Sequence, residues 1–198
     1  PENVQVAPFT YSEEAHFSEA NLPKQSTGIN FASIKIFDRQ LDSEIKTTVK
    51  EQDLTDLDSG EQKQIQNMAT TTEILGHWSI TIEGDIDSSS LEADIEFSVP
   101  DERINNQVDP AKVALYRIAR QEDNDYKAQK LDTIYQGRPI GDSHAYVAKT
   151  PGFSTFFIGA PRLISAPTQT PTPTVESTST PVPTASSTPT PASQSIPT

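Results

Sequence analysis

Chemistry in this 198-residue chain would have to come from three histidines, a few acidic loops and two short Gly-Ser blocks. His16, His77 and His144 lie far apart and have no metal-ligand spacing, so each reads as an ordinary polar or packing residue. Gly141-Asp142-Ser143-His144 matches the nucleophile block of one lipase/esterase class only in its letters. That block closes a buried strand early in an α/β domain and needs an Asp-x-x-His far downstream, whereas no histidine follows His144. Gly152-Phe153-Ser154 fails the nucleophile-elbow pattern, because Phe156 occupies the last glycine position. A glycosidase needs two carboxylates opposed in a cleft, but the carboxylates of the Leu91–Val99 stretch alternate outward. The expectation is a chain without enzymatic activity.

Acidic loops can also hold calcium. Asp85-x-Asp87-x-Ser89 with Glu96 at the twelfth position matches part of an EF-hand loop, but Ser90 stands where the sharp turn needs glycine. Asp53, Asp56 and Asp58 form a second acidic loop of similarly incomplete spacing. Either set offers an irregular oxygen cage for loosely held calcium, and ordinary turn chemistry explains the same residues. No other cofactor is expected. The absence of cysteine removes disulfides, thiolate metal sites and cysteine nucleophiles together.

The net charge of −13 belongs almost wholly to residues 1–164, since Glu176 is the only charged residue after them. No two basic residues are adjacent, which argues against nucleic acid, where phosphates must be met by clustered Lys and Arg. No apolar run approaches the ~20 residues of a membrane span. The chain opens on Pro1 instead of Met, so a longer precursor is expected.

The elements that position these residues read as strands. Residues 1–27 are a polar lead-in with a short Val4, Val6 alternation that could make an edge strand. From Gly28, apolar residues alternate with polar ones through Ile29, Phe31, Ile34 and Ile36, then through Ile45, Thr47 and Val49, and again through Trp78, Ile80 and Ile82. The clearest strand runs from Leu91 to Val99, with Leu91, Ala93, Ile95, Phe97 and Val99 on one face and Glu92, Asp94, Glu96 and Ser98 on the other. That pattern calls for an antiparallel sheet with one wet face. Slipping its register by one residue would bury three carboxylates. Further strands follow at Val113–Ile118, Tyr126–Leu131, His144–Ala148 and Thr155–Ile158. For Gln52–Ala69 a loop and a short helix near Glu61–Met68 both fit. The expected fold is all-β, an antiparallel immunoglobulin-like β-sandwich over 28–164. Phe31, Ile36, Trp78, Ile80, Phe97, Leu115, Tyr146 and Phe157 are expected to fill the layer between its sheets.

Residues 165–198 hold 17 Ser or Thr and 8 Pro in 34 positions. Proline cannot donate to a ladder, and the scarce apolar side chains cannot offset ordering entropy. This tail is expected to be a disordered stalk, either O-glycosylated or an unmodified linker. No N-x-[ST] sequon occurs.

The end of the folded part, Tyr146-Val147-Ala148-Lys149-Thr150-Pro151-Gly152-Phe153-Ser154-Thr155-Phe156-Phe157-Ile158-Gly159, resembles the closing signature of the archaeal PGF-pre-PGF domain family. Gly28-Ile29-Asn30-Phe31, the acidic strand Ala93–Val99, and Val113-Ala114-Leu115-Tyr116-Arg117 followed by Leu131-Asp132-Thr133 resemble it in the same order. Tyr126 stands where that family often has Trp. The resemblance implies an exported, S-layer-associated archaeal surface protein. In the family, a Thr/Pro tract leads to a second Pro-Gly-Phe motif, a membrane helix and a basic end, which an archaeosortase-type enzyme processes. That second motif and helix do not occur here. The family brings no catalytic residues. Independently of it, Pro151, Gly152, Phe153 and Ser154 read as a tight turn: Pro sets one angle, Gly permits a positive φ, and Phe returns to the core. The expected role is a non-catalytic extracellular spacer. Its expected partners are the envelope or its surface proteins. The alternative is an adhesin or binding module for carbohydrate, calcium or another surface protein.

Overall fold

The computed structural model describes residues 4–25, 28–37, 39–41, 44–88, 91–104, 108–121, 125–138 and 141–163. The tail at 165–198 lies outside them. Twelve strands are described: β1 (Val4–Pro8), β2 (Thr10–Ser12), β3 (Phe17–Asn21), β4 (Asn30–Phe37), β5 (Lys46–Gln52), β6 (Thr72–Glu83), β7 (Ala93–Pro100), β8 (Ala114–Arg120), β9 (Tyr126–Lys130), β10 (Asp132–Gly137), β11 (Ser143–Thr150) and β12 (Thr155–Pro161). Two helices accompany them, α1 (Ser59–Ala69) and the single turn α2 (Asp101–Ile104).

The strands form two six-stranded sheets, the first in the order β1-β5-β6-β12-β8-β9 and the second in the order β10-β11-β7-β4-β3-β2. Every pairing is antiparallel. The result is a β-sandwich, as the alternation in β7 requires: Ala93, Ile95, Phe97 and Val99 are buried while Asp94, Glu96 and Ser98 are half-buried on the outer face. At twelve strands among the described residues, it is larger than the seven or nine of immunoglobulin domains.

Aromatic rings bridge the two sheets. Trp78 of β6 meets Phe31 of β4 edge-on at 5.6 Å, Phe31 meets Phe97 at 6.0 Å, and Phe97 stacks on Tyr146 at 5.2 Å. The buried phenol of Tyr146 donates to Pro110 O at 2.9 Å, so the ring enters the core without an orphaned hydroxyl. Seven of the eight expected core residues lie here. Phe157 does not: it turns to the outer face of the first sheet and stacks on Tyr116 at 4.6 Å beneath α1, with Ile65 and Leu57. The consecutive run Phe156-Phe157-Ile158 is the sign of a strand that is dry on both faces.

Helix α1 settles the ambiguous segment after β5. Asp58 and Glu61 form a capping box, with Asp58 N donating to Glu61 Oε2 at 3.0 Å. An isolated helix of this length is marginal in water. Burying Ile65 and Leu57 contributes about 1.5–3 kcal/mol each. The ring of Tyr126 lies so close over Gly60 that a Cβ there would collide with it, and its hydroxyl donates to Asp58 Oδ2 at 2.6 Å.

The segment before Gly28 is more than a lead-in. It supplies an edge strand to each sheet (β1 and β2) and an inner strand (β3), which the mixed polarity of the stretch conceals. Gln5 explains how. Its buried side chain donates from Nε2 to Phe31 O at 3.0 Å and to Pro23 O at 2.7 Å, and accepts from Phe31 N at 3.3 Å on Oε1. A bulge in the β4–β7 pairing lies between Phe31 and Ser33, and the Gln5 amide bonds both the N–H and the carbonyl of Phe31 beside it. It thereby joins β1 of one sheet to β4 of the other. At the opposite side, Leu131 alone separates β9 of the first sheet from β10 of the second, and its N–H donates to Leu115 O at 2.9 Å.

Candidate functional site

His144 meets the Asp101 carboxylate in a shallow groove of about 620 Å³ beside α2. The β10–β11 hairpin and α2 build it. Gly141 adopts φ +68°, a left-handed conformation that turns the chain into β11, and Asp101 N donates to Asp142 O at 2.9 Å, tying α2 to that turn. His144 then points between two partners: its Nδ1 lies 2.7 Å from Tyr135 Oη, and its Nε2 lies 2.9 Å from Asp101 Oδ1. Asp101 Oδ2 forms an ion pair with Arg138. The Nε2 contact is close without hydrogen-bond alignment, since Asp101 Oδ1 is buried and makes no hydrogen bond.

Burial, assisted by the nearby Arg138 charge, holds the His144 imidazole below its usual range. A Ser-His-Asp device needs one ring nitrogen on a nucleophile. Here Nδ1 meets the Tyr135 hydroxyl and Nε2 faces Asp101 Oδ1, so neither nitrogen meets a serine, and Ser143 opens β11 in register with Pro100, away from His144. Tyr135, Asp101 and Arg138 carried no sequence signal, because their meeting depends on the hairpin's bulge between Tyr135 and Gly137 and on the α2 turn.

The calcium candidates are placed differently. Asp53 and Asp56 cap the 3-10 turn Leu54–Asp56, with Asp53 N donating to Asp56 Oδ2 at 3.3 Å. Asp58 caps α1 and accepts from Tyr126. Asp85 and Asp87 sit in the turn after β6, whereas Glu96 stands on β7 and accepts from Lys35 Nζ at 2.6 Å. Ser89 and Ser90 lie outside the described residues. Among the described residues, no group of three or more acidic, histidine or cysteine side chains converges as a metal site.

The Pro-Gly-Phe block is a turn, but a glycine at positive φ does not make it: Gly152 is not among the residues with that conformation. Thr150 Oγ1 organises it instead, donating to Gly152 O at 2.5 Å and accepting from Gly152 N at 3.4 Å. Phe153 N donates to Ser88 O at 2.9 Å and its ring enters the core, while Ser154 Oγ accepts from Arg117 Nε at 3.2 Å. Pro151 stays exposed. No helix of the described residues is long and apolar enough to cross a membrane.

No protein-family model, curated protein or solved structure matches this chain.

Proposed function

We propose that the chain is a non-catalytic structural module of an exported surface protein, of the kind the PGF-pre-PGF resemblance implies. The observation that carries this reading is how its reactive groups are used. The His144 imidazole is hydrogen-bonded through Nδ1 to Tyr135 with Nε2 lying against Asp101, and the acidic loop of Asp53, Asp56 and Asp58 caps two successive helical turns. Such side chains are spent on holding a fold together. The Thr/Pro-rich composition of 165–198 supports the same reading, as a stalk that separates the module from the envelope.

Strand register bears on the geometry of that role. Val4 lies in the row of Lys50 and Ser79, whereas β12 leaves at Pro161 in the row of Thr72. The axial offset from Ser79 to Thr72 is seven steps, roughly 23 Å. Along the strands the module therefore adds roughly 23 Å to the chain's path.

The test is to shave intact cells that produce the chain with a broad-specificity protease. The expected result is release of a folded fragment spanning 4–163 into the medium. A fragment that becomes accessible only after lysis would refute export. Hydrolysis of an ester, glycoside or peptide panel that disappears in His144→Ala would refute the non-catalytic reading.

A further inference from the structure

The outer face of the second sheet carries one register row of alternating charge: Asp132 of β10, Lys149 of β11, Asp94 of β7, Lys35 of β4 and Glu19 of β3. The row divides in two. On the β3–β4 side the charges are committed, with Lys35 Nζ 2.6 Å from Glu96 and 3.5 Å from Glu19. On the β10–β7 side no ion pair joins Lys149 to Asp94 or to Asp132. That uncommitted half forms a wall of a trough of about 680 Å³, which also takes in Phe37, Gln129 and Pro151. The volume is that of a small-ligand site.

We propose that this trough binds a short, neutral pyranose oligosaccharide laid across the strands, with Phe37 as the stacking platform. Phe37 is 47 % exposed, and an edge-to-face contact with Phe17 at 5.8 Å holds its ring. A rigid exposed aromatic ring suits the C–H face of a sugar. The trough crosses from β4 through β7 and β11 to β10. Neighbouring strands are spaced about 4.8 Å apart, close to the ~5 Å repeat of a pyranose chain, so about three sugar units match its width. Carboxylates accept from hydroxyls, the lysine donates to them, and Gln129 does both.

Other ligand chemistries fit less well. Three carboxylates against two lysines line the trough, which disfavours phosphate and other anions. Most of the trough runs over β7, β11 and β4, interior strands whose backbone groups are already paired, and only its β10 end reaches a sheet edge, so an extended peptide finds little strand to join there. The Pro-Gly-Phe turn supplies Pro151 to the lining, held by the Thr150 clamp and the buried Phe153. This proposal does not depend on the structural-module reading.

The test is ¹H–¹⁵N correlation spectroscopy of the full chain with millimolar cellotriose, chitotriose, maltotriose or mannotriose. The expected result is saturable shifts confined to the trough with at least one of the four. Phe37→Ala should weaken that binding about tenfold, the loss of one aromatic contact, while the lost Phe17 pair lowers the melting temperature only slightly. If Phe37→Ala does not fold, Asp94→Asn supplies the same comparison. The proposal is overturned if none of the four sugars shifts the trough, if the shifts lie elsewhere, or if the folded variant binds as well as the parent. It is also overturned if inorganic phosphate or a lysine-rich peptide shifts the trough and no sugar does.

Discussion

On the outside of the first sheet, Tyr116 and Phe157 stack at 4.6 Å under a helix; on the outside of the second, five charged side chains stand in a row across five strands. Both surfaces are built from antiparallel strands of similar length. They differ in what occupies the outward positions. In β7 the outward set is Asp94, Glu96 and Ser98, which stay half-exposed to water. In β12 and β8 it is Phe157 and Tyr116, which need a cover, and α1 supplies it. Covering a sheet face requires a helix whose own ends are satisfied, and for that reason the acidic residues of the β5–α1 connection serve as caps. Burial raises the pKa of the Tyr116 phenol on the dry side. On the wet side Lys35 is raised chiefly by its hydrogen bond to Glu96, with burial opposing.

This contrast can be broken from the dry side first. Phe157→Ala removes a fully buried ring between the sheet and α1, and should cost about 3–5 kcal/mol, read as a lower urea midpoint. A loss below about 1 kcal/mol would mean that α1 adds little to the fold.

Mild acid should act next, through the edge of the second sheet. His144 is held below its ordinary value by burial and by Arg138, so the native state favours the neutral ring. The unfolded chain binds its proton near pH 6.5, so this contribution is fully present above that pH. It is lost as pH falls from there through the lower native value. Melting temperature should decline over that window, and His144→Gln should flatten the decline. His77, lowered mainly by burial, acts in the same direction and leaves a residual slope. An unchanged profile in His144→Gln would show that the ring is as readily protonated when folded as when unfolded.

The smallest effect belongs to the wet face. Lys35→Met breaks the pairs with Glu96 and Glu19, yet both carboxylates keep access to solvent, so the change should stay within about 1 kcal/mol and shrink further in high salt. A larger loss would mean that the charge row is structural and not a solvated surface.

Much of this fold was legible one strand at a time. Strict alternation over Leu91–Val99 specifies one dry face, because a one-residue slip would bury carboxylates. In residues 4–21 only the edge strand at Val4 and Val6 was legible, and β2 and β3 were not. The strands here are short and mixed, and the decisive residue there, Gln5, is a polar side chain that works as a backbone surrogate 26 positions from Phe31. Helix α1 was half legible: the Asp58-x-x-Glu61 spacing announces a cap, while Ile65 and Met68 alone leave the helix in doubt. That Phe156 and Phe157 point to opposite faces follows from their adjacency, but which of the two enters the inter-sheet core does not, because both neighbours are equally apolar.

By itself, then, the order of residues determined the elements: the period-two strands, the turn at Pro151 and Gly152, and the compositional break at residue 165. These depend on interactions between near neighbours. Tertiary structure alone decided which face of the doubly apolar β12 became the interior, how Gln5 and Leu131 join the two sheets, and that Tyr135, His144, Asp101 and Arg138 meet in one groove. Those outcomes depend on pairings across tens of residues and on which outward side chains find a cover, and no local pattern encodes them.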